Sequence, residues 1–143
     1  MINRKLLQYL CCPKCKSGLA KKDNFLVCKK CGEKYEIQHN IPILVNLHNL
    51  SEHLQKQIKY FEQENRSRPE YKLSEWQKSY LRKLKENLLP EENKILIDIG
   101  TGSGYIAVEM ARKGLKVIAC DLTLEELIKL KDIAKKEHLE RNL

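Results

Sequence analysis

"LIDIGTGSGYIAVEMARKG", residues 96–114, runs from an apolar stretch through three alternating glycines into the pattern of an amphipathic helix. The apolar run "KILIDIG" (94–100) predicts a parallel strand buried on both faces. Glycines at its C-terminal end permit positive φ and let the backbone approach a ligand with no Cβ in the way. Ala107, Met110 and Ala111 then recur at helical spacing up to a stop at Gly114. A second strand follows at "KVIACD" (116–121), and Thr123 with Glu126 forms a capping-box pattern that opens another helix, with Leu124, Leu127, Ile128 and Ile133 turned inward. Strand, helix, strand, helix is a βαβα unit, for which a right-handed crossover and adjacent parallel strands are expected. Residues 91–143 thus read as α/β, the N-terminal part of a Rossmann-like domain.

Residues 47–90 read as a helical connector. Leu50, Leu54, Ile58 and Phe61 make one apolar stripe, and Trp76, Tyr80, Leu81, Leu84 and Leu88 make a second, with Ser74 and Gln77 as its capping box. "NRSRPEYK" (65–72) breaks the two. Apolar stripes of this kind are expected to pack on the next domain, which assigns Phe61 and Trp76 to a core rather than to a cofactor.

The first 46 residues have a different character. Five of the six cysteines lie within the first 31 residues, Cys120 standing apart, and residues 1–45 hold nine Lys/Arg against three Asp/Glu, whereas residues 95–143 hold eight against eight. The net charge of +8 therefore belongs mainly to the first third. Leu6, Leu7 and Leu10 suggest a short helix, "FLVCKKCGEKYEI" (25–37) two short strands around a turn, and "IPILV" (41–45) a closing strand that starts or lies at an edge, given Pro42.

Cys12-Pro13-Lys14-Cys15 and Cys28-Lys29-Lys30-Cys31 are two C-x-x-C pairs with twelve residues between them. Each such turn offers two thiolates from one knuckle, and two knuckles supply the four tetrahedral ligands that zinc takes in closed, structural sites. Cys12, Cys15, Cys28 and Cys31 are the expected ligands; Cys11 falls outside the spacing and is expected to point away. A metal held this way contributes folding free energy to a module too small for a large core. The lysines around the knuckles, Lys14, Lys16, Lys29 and Lys30 with Lys21, Lys22 and Lys34 nearby, fit either an RNA-phosphate surface or compensation of the charge of four thiolates.

The stretch "LLQYLCCPKCKSGLAKKDNFLVCKKCGEKYEIQHNIPILV", about 40 residues, resembles the small zinc-ribbon family that includes the activator subunit of tRNA and translation-factor methyltransferases and its short bacterial relatives. The shared features are a leucine-rich first helix, C-P-x-C-K, C-x-x-C-G, Y-x-I and I-P-x-L. The chain departs from the family at Glu36 and at His39-Asn40, which alters a turn and no ligand. The resemblance implies a small α+β ribbon over residues 1–46.

For the glycine turn two ligand classes come into question. A dinucleotide register, G-x-G-x-x-G/A, can be laid over Gly102, Gly104 and Ala107, and it leaves Gly100 without a task. The register D-x-G-x-G-x-G uses Asp98, Gly100, Gly102 and Gly104 together and resembles the first motif of class I S-adenosylmethionine-dependent methyltransferases. That resemblance implies that the loop, Thr101 included, runs along the methionine and ribose of the donor, that Asp98 serves its ammonium end, that Asp121 at the end of the second strand binds the ribose hydroxyls, and that Leu122 lies against the adenine.

The expected function is accordingly an S-adenosylmethionine-dependent methyltransferase with a structural Zn²⁺, its acceptor class RNA through the basic ribbon. The alternative is a non-catalytic zinc-ribbon partner or activator of a separate methyltransferase, with a nicotinamide-binding protein third. A full methyltransferase sheet has more strands than this unit supplies, so the fold is expected to be incomplete, either as a fragment or as one half of a pairing with a partner chain or a second copy. No apolar run approaches the roughly 20 residues needed to cross a bilayer, and nothing resembles a secretory signal; a cytoplasmic location is expected.

Overall fold

In the computed structural model the described residues are 4–45, 50–66, 73–89, 91 and 94–143. The chain is mixed α/β and divides into two units, Met1–Gln55 and Lys56–Leu143.

The first unit opens with a single helical turn, α1 (Arg4–Leu7), and continues as a curled antiparallel sheet of β1 (Leu19–Lys22), β2 (Phe25–Cys28), β3 (Lys34–Gln38) and β4 (Ile41–Pro42) in the order β1-β2-β3-β4. Both outer hairpins close through two residues. Lys22 pairs with Phe25 around Asp23-Asn24, and Gln38 pairs with Ile41 around His39-Asn40. His39 and Asn40 both sit at positive φ, 50° and 62°, the backbone that lets a two-residue turn follow the strand twist. Alternation along the strands points Leu26 and its cross-strand partner Tyr35 inward, 0% and 7% exposed. They pack with Leu19, Cys12 and Cys28, flanked by Leu7, Leu10 and Ile37.

One strand lies outside the sequence expectations, and another is shorter than expected. Leu19–Lys22 forms a strand although "LAKK" lacks a strand pattern, because the turn at Asp23 folds it back onto β2. The "IPILV" strand shortens to Ile41–Pro42 at the sheet's edge, where a proline without an N–H is tolerated.

Helix α2 (Glu52–Arg66) carries the first connector stripe. Leu50, Leu54 and Ile58 are partly buried, but Tyr60 and Phe61 are exposed, their rings edge to face with centroids 5.5 Å apart. Among the described residues no α2 side chain belongs to a buried cluster. The expected break at 65–72 lies mostly outside the described residues.

The second unit contains α3 (Glu75–Asn87), β5 (Ile95–Ile99), α4 (Tyr105–Arg112), β6 (Lys116–Cys120) and α5 (Leu124–Lys136). The capping box at α3 forms as expected: Ser74 N–H donates to Gln77 Oε1 at 2.9 Å, and Gln77 N–H donates to Ser74 Oγ at 3.3 Å. The buried face of α3 is Leu81, with Leu84 and Leu88 packed beside it. Trp76 precedes Leu81 by five residues, roughly 140° around the helix. It is 69% exposed and stacks on Tyr80 at 5.7 Å instead of entering the core.

β5 and β6 pair in parallel, Ile95 with Lys116 through Ile99 with Cys120. This register puts Leu96, Asp98, Val117 and Ala119 on one face of the sheet and Ile97, Ile99, Ile118 and Cys120 on the other. The first face meets Ala107, Val108, Met110 and Ala111 of α4, Leu115, Leu130 of α5 and Leu81. The second face is bare: Ile97 is 57% and Ile99 83% exposed. Burial on both faces, which the apolar run predicts, is therefore not observed among the described residues, because all the helices that reach the cluster cover the same side. Beyond α5 the chain turns back, and Val117 N–H donates to Asn142 O at 2.6 Å, occupying the outer edge of β6.

Candidate metal centre and glycine turn

The cysteine cluster is built by two knuckles that share one set of backbone bonds. Cys12 N–H donates to Ser17 O and Lys16 N–H to Cys12 O; sixteen residues later Cys28 N–H donates to Glu33 O and Gly32 N–H to Cys28 O. Each turn needs positive φ at its fifth position, met by Gly32 at 74° and by Lys16 at 60°. Strand β2 ends on Cys28 and so delivers the second knuckle to the first.

The Sγ atoms of Cys12, Cys15, Cys28 and Cys31 all lie within 4.8 Å of one another. Across the knuckles Cys12 meets Cys31 at 3.7 Å and Cys15 meets Cys28 at 3.4 Å. Four sulfurs around zinc at about 2.3 Å sit about 3.8 Å apart, so this donor set has the chemistry and spacing to hold a metal ion. The N–H groups of Lys30 and Cys31 point at Cys28 Sγ, both at 3.4 Å. Cys11 stands outside the cluster, exposed, its backbone bridged to Gly18.

Charge in the cluster is unevenly distributed. Burial pushes the Cys12 thiol up, but the Tyr35 hydroxyl and the backbone N–H groups of Cys15 and Lys14 outweigh it and hold it at about 6. The Cys31 N–H lowers Cys28. At Cys31 the Glu33 N–H favours the thiolate, yet the neighbouring thiol of Cys28, burial and the thiols of Cys15 and Cys12 carry it up to about 12. Four thiols this close cannot all ionise without a cation to offset their charge, which a divalent metal ion would supply. Lys14 is drawn into the same balance: its Nζ meets Glu33 Oε2 at 2.9 Å, which raises its pKa, and negative charge on the sulfurs of Cys31 and Cys12 adds to the rise.

The glycine turn is built differently. Gly100 N–H and Thr101 N–H both donate to Cys120 O, at 2.8 and 3.0 Å, tying the end of β5 to the end of β6. Asp121 then reaches across: its Oδ2 accepts from Gly102 N–H and its Oδ1 from Thr123 N–H, each at 2.8 Å. The second bond replaces the capping box expected at Thr123 and Glu126, since the Thr123 side chain caps nothing and Glu126 is buried. Thr101 is 6% exposed and donates its hydroxyl to Asp98 Oδ2 at 2.7 Å, so its side chain braces Asp98. Leu122, beside Asp121, is exposed.

The three glycines divide by task. All have positive φ, 71° at Gly100, 51° at Gly102 and 73° at Gly104. A Cβ added at Gly100 or Gly102 meets nothing within 4 Å, whereas at Gly104 it lands 2.4 Å from Leu130 Cδ1. The first two leave open space above the turn, and the third lets α5 close on the start of α4. Asp98 also borders a shallow groove of about 160 Å³ with Tyr80, Leu84, Leu88, Leu96, Ile97 and Ile106. Burial pushes the Cys120 thiol up, with the carboxylates of Asp98 and Asp121 adding to it, which keeps this thiol protonated.

The structure thus gathers the four expected metal ligands into one cluster, and it brings Asp98, Gly100, Thr101, Gly102, Gly104 and Asp121 to one end of the parallel pair. Sequence reading missed Tyr35, whose hydroxyl lies 3.1 Å from Cys12 Sγ; the inward register opposite Leu26 was the available signal. It also missed Leu130 as the neighbour that makes Gly104 obligatory. No family model and no curated protein matches the chain.

Proposed function

We propose that residues 91–143 are the donor-binding part of a class I S-adenosylmethionine-dependent methyltransferase and that the cysteine module is a zinc ribbon attached to it. The observation that carries the donor reading is the Asp121 carboxylate turned onto the glycine loop at Gly102. Each of its oxygens keeps a lone pair after accepting one N–H, and a vicinal diol takes two such acceptors. The open approach at Gly100 and Gly102 supports the same ligand. A dinucleotide is supported less, because in that register Gly104 would be the residue that admits the pyrophosphate, and here it is committed to Leu130.

The donor supplies a sulfonium-activated methyl group. The task of this chain's residues is to hold it: Asp121 at the sugar, Asp98 with Thr101 behind it at the amino-acid end, and Gly100 and Gly102 as backbone along its length, which is catalysis by positioning. The zinc ribbon supplies Cys12, Cys15, Cys28 and Cys31 as a closed shell, so the metal acts as a structural element. RNA is the acceptor class favoured by the exposed Lys16, Lys21, Lys22, Lys29, Lys30 and Lys34 of the ribbon.

One observation favours a second reading, a zinc-ribbon partner of a separate methyltransferase whose parallel pair packs against another chain: the bare face of Ile97 and Ile99. Titration calorimetry with S-adenosylmethionine and S-adenosylhomocysteine separates the two. Heat at micromolar ligand that disappears in Asp121→Ala is the expected result, with Asp121→Asn, which keeps one acceptor for the loop, as the folded control. No heat from a folded wild-type chain rejects donor binding and leaves the partner reading.

A further inference from the structure

Cys12 is fully buried. A thiolate there cannot be hydrated and needs hydrogen-bond donors from the protein. Its counterpart Cys28 receives the N–H groups of Lys30 and Cys31, and the knuckle of Cys12 repeats that backbone. Cys12 also has a side-chain partner from outside the four cysteines. Tyr35 is 7% exposed on β3, its ring packs in the cluster with Leu26 and Leu19, and its hydroxyl ends 3.1 Å from Cys12 Sγ. A buried hydroxyl requires a partner, and a thiolate sulfur can only accept, so with metal bound the phenol O–H is the donor.

Resting on the zinc-ribbon reading, we infer that Tyr35 is a positioning residue for the metal, its hydroxyl fixing the Cys12 thiolate in its ligating rotamer and drawing charge from the sulfur. Partners of this kind outside the ligand set govern metal affinity because they set both the orientation and the basicity of the ligand. The bond also ties the first knuckle to the middle of the sheet, since Tyr35 pairs with Leu26 on β2.

The test is Tyr35→Phe in the full chain, which keeps the ring and removes the hydroxyl. Zinc affinity is read by chelator competition and the thiolate environment by absorption of the cobalt(II)-substituted protein. The expected results are affinity lower by about 10- to 100-fold and a sulfur-to-cobalt charge-transfer band moved to lower energy, because a thiolate without its donor gives up an electron more easily. Leu26→Val loosens the same core with the hydroxyl in place and is expected to leave the band at its wild-type energy. Tyr35→Phe with affinity within twofold of wild type, or with an unmoved band, overturns the inference. A wild-type chain that binds neither zinc nor cobalt overturns the zinc-ribbon reading itself, and the inference with it.

Discussion

The cysteine module and the parallel unit both use tight turns to aim backbone N–H groups at a charged side chain, and they end with opposite kinds of site. In the module, two turns converge and bring four sulfurs within 4.8 Å of one another, the number a tetrahedral metal shell takes. In the parallel unit a single turn curves around one carboxylate, and above Gly100 and Gly102 there is space. Turn geometry alone therefore does not separate a structural site from a binding site. What separates them is whether the protein's own groups close the shell.

The largest effect expected from this contrast is on metal removal. Chelation, or Cys28→Ser, should unfold residues 11–42 and leave the parallel unit folded, the metal contributing on the order of 10 kcal/mol to the module alone. Amide hydrogen exchange would read both regions in one sample; equal loss of protection in β5 and β6 would break the division. Within the open turn, Gly104→Ala combines a left-handed backbone, about 1–2 kcal/mol, with a clash on Leu130, about 1–3 kcal/mol. Gly102→Ala carries the backbone cost alone. Urea midpoints for the two variants should differ in that order, and equal shifts would show that the packing task assigned to Gly104 is wrong.

A smaller effect concerns pH and belongs only to the parallel unit. Burial raises the Glu109 carboxyl, but Lys85 and Arg112, both hydrogen-bonded to it, hold it below its usual range. A depressed folded-state pKa gives stability that is present above the ordinary carboxylate pKa, about 4.3, and is lost as pH falls through the folded value. Glu109→Gln should lower the stability of this unit by about 1 kcal/mol at neutral pH and by little at pH 3. Denaturant midpoints at both pH values check it, and an equal deficit at both would sink the ion-pair account. The smallest effect sharpens the comparison of one knuckle with the other. Lys16 holds the left-handed position that Gly32 fills in the second turn, so Lys16→Gly should stabilise the metal-bound module by up to about 1 kcal/mol, read as a rise in its thermal midpoint.

The cysteine cluster was legible because ligand spacing is a local property: C-x-x-C twice is enough to name Cys12, Cys15, Cys28 and Cys31. The strand, turn and helix order of residues 94–136 was legible for a similar reason, since hydrophobic period and glycines are written along the chain. What could not be read depends on partners elsewhere in the sequence. Leu19–Lys22 becomes a strand only because β2 lies alongside, and Ile97 and Ile99 read as core although both stay largely exposed among the described residues. Trp76 misled because a large aromatic on a helix suggests burial while the angle to Leu81 decides it. At Thr123 the side chain that carries the bond belongs to Asp121, two residues earlier, which a capping pattern counted forward from Thr123 does not include.

The two sulfur contacts across the cluster join residues 19 and 13 positions apart, Cys12 to Cys31 and Cys15 to Cys28. During synthesis the first hook is finished long before its counterpart leaves the ribosome. Until Cys28 emerges, a captured ion would have only Cys12 and Cys15 of the four sulfurs, and the shell would stay open until Cys31 follows. If a metal is bound, the module could close only after the β1–β2 hairpin has been made, because that hairpin separates the two pairs of sulfurs.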